Sequence, residues 1–148
     1  MAPIQLITSF FGSLGFALVF NVRKRNLIPC AVGGFLCCGV YLIFSELFSF
    51  HLFLASLAAG AACQIYAEIL ARILKSPATV FYITALVPMI PGGLLYRTMD
   101  AAVSRDWQDF FLRGAETVYT TLGLAIGISL VSGILHLFRQ NHKKAKNL

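Results

Sequence analysis

The feature that most constrains this chain is the recurrence of apolar runs about as long as a bilayer is thick. A hydrocarbon core about 30 Å deep takes about 20 residues of helix. Five runs of that size follow one another, over residues 3–22, 27–48, 51–74, 78–96 and 115–138. Lipid offers no partner to a backbone N–H or C=O, so segments of this kind cross as helices, which pair those groups internally. The expected fold is therefore all-α, an integral membrane helical bundle of about five transmembrane helices over residues 1–138, followed by a basic cytoplasmic tail over 139–148. Composition agrees: 58% of the 148 residues are hydrophobic and 12% charged, against about 25% charged in a typical soluble domain. A soluble core of this length would leave large apolar patches in water.

The basic residues supply the orientation. Arg23, Lys24, Arg25, Arg72, Lys75, Arg139, Lys143, Lys144 and Lys146 collect in the loops of one side. Arg97, Arg105 and Arg113, offset by Asp100, Asp106 and Asp109, fall on the other. The positive-inside rule places the N-terminus outside and the C-terminus in the cytoplasm of a cell (inner) membrane protein. The net charge of +6 is broken into short clusters between apolar runs, which excludes a groove for nucleic acid. Cys30, Cys37, Cys38 and Cys63 sit inside apolar runs, where a thiol acts as a small hydrophobe. With no Cys/His cluster at ligand spacing, neither a metal nor a cofactor is expected. The opening "MAPIQLITSF" lacks the basic n-region of a signal peptide, so the first run is expected to stay. Gly12, Gly15, Gly33, Gly34, Gly60 and the Gly123/Gly127 pair at GxxxG spacing predict close helix contacts within the subunit, with a homo-oligomer as the other use of such faces.

The fourth run contradicts its own helix. "TALVPMIPGGLLYR", residues 84 to 97, holds Pro88, Pro91, Gly92 and Gly93. Each proline lacks an N–H and clashes with a carbonyl one turn back, and the glycines weaken the helix further. A break about ten residues from the start of the run falls near the bilayer midplane, where freed backbone groups are tolerated only against protein or a water-filled cavity. If a second half-helix restarts near Pro91, the N–H groups of Gly92, Gly93 and Leu94 carry partial positive charge suited to a carboxylate. Thr84 and Thr79 offer hydroxyls one and two turns earlier. A substrate site and a plain packing kink both explain the break, and the residues alone leave the two readings open.

Other candidates have structural alternatives beside them. Glu68 in the third run is a candidate for proton or ion coupling, while pairing with Arg72 one turn away explains it without function. Arg97, just past the break, is a candidate gate or an interfacial anchor. Trp107, Phe110 and Phe111, interleaved with charge, suggest a separate external helix at headgroup level ahead of a fifth span that Glu116 begins. Ser132 and His136 share a helix face, but one helix with a satisfied backbone offers no oxyanion hole, so no enzyme is expected.

At the break the chain also resembles a known family. "LVPMIPGGLLYRTM" is similar to the Pro-x-x-Pro-Gly segment, with a Tyr four residues after its Gly, in the small or C-terminal part of the threonine/serine exporter family. "GFALVFNVRKRNL", residues 15 to 27, resembles the end of that part's first helix and the loop after it. The pattern of five helices agrees from about Gly12 to Leu137. The resemblance implies a secondary exporter of threonine, serine or related small polar carboxylates, driven by the proton gradient as an antiporter. It implies a larger membrane subunit of the same family as partner. Carried over residue by residue, Pro88, Pro91, Gly92 and Tyr96 match the family segment, and Asn21 matches the first-helix end as a second gate candidate. The substrate-binding set is thus Thr84, Pro88, Pro91, Gly92, Gly93 and Tyr96. The rival reading is a non-transporting assembly or scaffold subunit of the membrane.

Overall fold

The structure, a computed structural model, describes residues 2–47 and 51–146. All of its regular structure is helical: α1 (Ala2–Val19), α2 (Lys24–Leu42), α3 (Leu52–Leu74), α4 (Ala78–Leu86), α5 (Gly92–Val103) and α6 (Trp107–Lys146). A π-helical turn, Ile43–Leu47, prolongs α2, and a 3-10 turn, Val87–Met89, prolongs α4. The link between the second and third predicted runs falls on residues 48–50, outside the described residues, as do residues 147 and 148 of the tail.

Three helical stretches are long and apolar enough to cross a bilayer: Lys24–Glu46, Leu52–Leu74 and Trp107–Leu137. Ala78–Met89 and Gly92–Val103 together make a fourth, bent by 44°. The 18 residues of α1 stand at the short end of the range of about 17–25 that spans. Each predicted run therefore holds an apolar helix or helix pair.

The contacts fix directions. Along α1 and α2 the partners run oppositely, since a Cβ at Gly39 would meet Leu6 and one at Gly34 would collide with Ser13. On α2 and α3, Cys37 donates to the Ala59 carbonyl, while the Tyr66 hydroxyl donates to the Pro29 carbonyl at 2.8 Å. These helices are antiparallel as well. In contrast, α3 and α6 climb together: a Cβ at Gly123 would approach Phe53 and Ser56, one at Gly127 would approach Leu57 and Ala61, and Gln64 bonds Ser132. The two helices are parallel. Chain leaving α3 must then return across the bundle before α6 begins, and only short turns flank the α4–α5 pair. That pair is consequently one broken crossing and not a re-entrant loop, which would have made α3 and α6 antiparallel.

Three of the turns between helices share one device. Asn21, Lys75 and Arg105 have φ of 52°, 51° and 58°, and in each case the next N–H reaches back five residues: Val22 to Ala17, Ser76 to Ala71, Asp106 to Ala101. This is the Schellman cap, with a non-glycine residue in its left-handed position. Asp106 then starts α6, its side chain accepting from the Asp109 N–H at 3.1 Å, as an N-cap does.

Small residues fill the interior. Ala17, Ala31, Ala55, Ala59, Ala67 and Ala85 are buried with all four cysteines, and Phe81 is the largest side chain fully enclosed. The thiols are free. Three of them donate to a carbonyl on a neighbouring helix: Cys37 to Ala59 at 3.4 Å, Cys30 to Val80 at 3.8 Å and Cys63 to Tyr82 at 3.9 Å. Ile4, Ile7, Phe11, Leu18, Ile69, Ile73 and Leu130 stand exposed, a surface that suits lipid and not water.

Pro29 lies inside α2, past its first turn, because the helix starts at Lys24. Two expectations change. Trp107, Phe110 and Phe111 do not form a separate external helix, since α6 runs unbroken for 40 residues from Trp107, about 60 Å at 1.5 Å per residue. That is roughly twice the hydrocarbon thickness. Glu116 accordingly lies in the third turn of α6, paired with Arg113 at 3.4 Å, and Arg113 also pairs with Asp109 at 3.2 Å.

Candidate functional site

The break occupies the middle of the bent pair. α4 ends at Leu86, the 3-10 turn carries Pro88, Ile90 is extended, and Pro91 precedes the first residue of α5, Gly92. Pro91 has φ −74° and ψ 53°, and the Gly92 N–H bonds the Ile90 carbonyl at 2.7 Å. This inverse γ-turn turns the chain without glycine conformations, for no glycine has positive φ. Helix bonding resumes with the Leu95 N–H on the Pro91 carbonyl. The N–H groups of Gly93 and Leu94, and the carbonyls of Pro88 and Met89, have no backbone partner across the break among the described residues. No side chain caps α5.

These groups adjoin a cavity of about 340 Å³. One wall is the break itself, Pro88, Met89, Ile90, Pro91, Gly93 and Leu94; facing it are Gln5, Thr8 and Ser9 of α1, Cys38 and Tyr41 of α2, and Thr120 of α6. Among the described residues the lining carries no charged side chain. Its electrostatics come from helix ends: the N-terminus of α5 presents partial positive charge and the C-terminus of α4 partial negative charge. A carboxylate is matched by the first and an ammonium by the second, in the manner of discontinuous helices that bind small solutes in membranes. The α1 and α2 residues involved lie in the half of the bundle that holds the N-terminus of α1.

Of the predicted site residues, the structure brings Pro88, Pro91 and Gly93 to the cavity. Thr84 is elsewhere: it is 1% exposed and donates back to the Val80 and Phe81 carbonyls at 2.9 and 3.1 Å, as membrane-helix threonines commonly do. Gly92 is exposed and does not line the cavity, and Tyr96, one turn on, is 72% exposed on the outer side of α5. Arg97 is exposed beside it. Asn21 terminates α1, near Asn26, whose side chain donates to the Ser76 hydroxyl at 2.9 Å. Glu68 is half-buried on α3 and does not line the cavity.

Gln5, Thr8, Ser9, Tyr41 and Thr120 complete the site without having been singled out in the sequence. A signal existed for the first three. They are spaced i, i+3, i+4 in an otherwise apolar helix, which sets them on one face. Ser132, whose proximity to His136 invited an enzymatic reading, accepts a hydrogen bond from Gln64 at 2.9 Å and joins α3 to α6.

No solved structure matches the chain. The family model described as "Threonine/Serine exporter, ThrE" matches residues 5–134. The match runs from the cavity-lining Gln5 of α1, through the broken crossing, to the α6 segment beyond Ser132. The chain belongs to the threonine/serine exporter family.

Proposed function

We propose that this chain is the small subunit of a two-part secondary exporter that carries threonine, serine or related small carboxylates out of the cell in antiport with protons. A larger membrane subunit of the same family completes the transport unit. The observation that carries the reading is the break between α4 and α5, which leaves backbone donors and acceptors without a backbone partner across it beside a cavity with no charged side chain, among the described residues. Such groups are costly in lipid and are kept where a solute or water meets them. Alternating access then follows from rocking of the bent pair against the α3–α6 unit. The basic end of the bundle, with Arg23, Lys24, Arg25, Arg72 and Lys75, is assigned to the cytoplasm of the inner membrane, which puts the cavity in the outer half. Glu68, apart from the cavity, is the carboxylate we assign to proton exchange.

The scaffold reading draws on two contacts. The Pro88 ring sits against Gly12, where a Cβ would come within 3.4 Å of it. Moreover α5 packs on α6 and no other helix among the described residues, leaving Tyr96, Met99 and Val103 exposed for a partner to cover.

Gly93→Leu separates the two. A Cβ at Gly93 meets nothing within 4 Å, so the variant should fold, reach the membrane and retain its partner while its side chain fills the cavity. Efflux of labelled threonine from cells is expected to fall at least about tenfold, a loss of about 1.4 kcal/mol or more in transport. Gly92→Leu, on the exposed side, should keep it. Normal efflux with Gly93→Leu would return the break to a packing role.

A further inference from the structure

The two lips of the break match an ammonium and a carboxylate, but neither reads what else a substrate carries. The opposite wall does. Ser9 on α1 is 7% exposed, lines the cavity, and its hydroxyl makes no hydrogen bond among the described residues. Two other hydroxyls of the lining are engaged: Thr8 donates to the Ile4 and Gln5 carbonyls, and Thr120 to the Glu116 carbonyl; the remaining polar side chains of the wall, Gln5 and Tyr41, are less buried than Ser9. Helical hydroxyls here generally bond back one turn, as Ser56, Thr98, Thr117 and Thr121 also do. Ser9 departs from that habit at the place where a solute would sit. Ser13, one turn further, is likewise buried without a partner, but it is closed in against Gly34 and does not line the cavity. Buried polar groups are almost always paired, so an unpaired hydroxyl on a cavity wall calls for a partner that enters with the ligand.

We infer that Ser9 is a specificity-determining residue, hydrogen-bonding a hydroxyl on the substrate's side chain while the break holds the carboxylate and ammonium. The inference rests on the reading of the cavity as the transport site. A hydroxyl both donates and accepts, so Ser9 pairs with a second hydroxyl in either sense. The charges are already met by the ends of α5 and α4. A site that offers a buried hydrogen bond discriminates against the analogue that cannot make it.

The test compares labelled threonine with 2-aminobutyrate, the same skeleton without the hydroxyl, taken up by inverted vesicles of the native membrane beside vesicles lacking the gene. The unaltered protein should show a KM for threonine about fivefold or more below that for 2-aminobutyrate. Ser9→Ala should raise the threonine KM by about the same factor, leaving its kcat and the 2-aminobutyrate KM in place, so that the preference collapses. Ser9→Thr, which keeps a hydroxyl, should restore the preference. Equal KM values in the unaltered protein, an equal loss of both substrates with Ser9→Ala, or no change at all would overturn the assignment of Ser9. Uptake by unaltered vesicles no greater than by those lacking the gene would instead sink the transport reading, and this inference with it.

Discussion

Adding one methyl group at Gly127 should loosen the α3–α6 seam on which the rest of the bundle depends. A Cβ there would fall on the Leu57 carbonyl and lie 2.9 Å from the Ala61 nitrogen. Both are backbone atoms of α3, so no change of rotamer relieves the clash. The helices must part by about 1 Å, which forfeits up to half of the dispersion energy of their contacts. Overpacking of this kind costs about 1–3 kcal/mol. The Gln64–Ser132 hydrogen bond, 2.9 Å long and little more than a turn away, would stretch out of range for a further loss of about 0.5–1.5 kcal/mol. Against this, alanine improves helix propensity by about 1 kcal/mol. Gly127→Ala should therefore destabilise by about 1–3 kcal/mol. Gly133→Ala is the control, since its Cβ meets nothing within 4 Å and only the propensity gain applies. Unfolding in mixed micelles can be followed by thiol labelling of Cys30, Cys37, Cys38 and Cys63, all buried in the native bundle. Should Gly127→Ala track Gly133→Ala, or stay within about 0.5 kcal/mol of the parent, the backbone clash is not what sets the spacing of these helices.

Two more perturbations bear on the same framework. Ser132→Ala removes the partner of a Gln64 side chain whose Oε1 is already buried and unpaired; it should cost about 1–3 kcal/mol, more than Gln64→Leu, which removes the buried amide altogether. The reverse order in the thiol-labelling assay would show that the Gln64–Ser132 bond is not a net stabilising contact. Converting Pro88 and Pro91 together to alanine restores two backbone donors and should straighten the 44° bend, read as a longer distance between spin labels at the exposed positions Thr79 and Met99; an unchanged distance would mean that packing against α1 and α6, not the prolines, imposes the bend.

The break was legible in the sequence because proline acts on its own backbone, wherever the chain lies. Loss of the N–H at Pro88 and Pro91 requires no knowledge of neighbours, and the structure puts the end of α4 and the start of α5 within the predicted stretch. The Gly123/Gly127 pair was legible for a related reason: two glycines one turn apart permit close approach to something, and that partner is α3 of the same chain. Thr84, Gly92 and Tyr96 do not line the cavity, because membership in a segment says nothing of direction around a helix. Gly92 and Gly93 are adjacent, yet only Gly93 lines the cavity. Trp107 to Phe111 were assigned a separate helix from their charge, whereas α6 carries that charge on its first turns beyond the apolar stretch.

The sequence by itself determined that the chain is helical, that it lives in lipid, where its apolar helices lie and which of them is broken, since length, apolarity and proline act locally. Only the tertiary structure decided what faces what. In water a helix declares its inner side by being apolar there, but lipid tails are as apolar as leucine, so the hydrophobic pattern of a membrane helix carries little record of its inner face. Packing of small residues set the faces instead. It made α3 and α6 parallel, turned the α4–α5 pair into a crossing, and brought Gln5, Thr8 and Ser9 from the first helix against a break some 80 residues further along the chain.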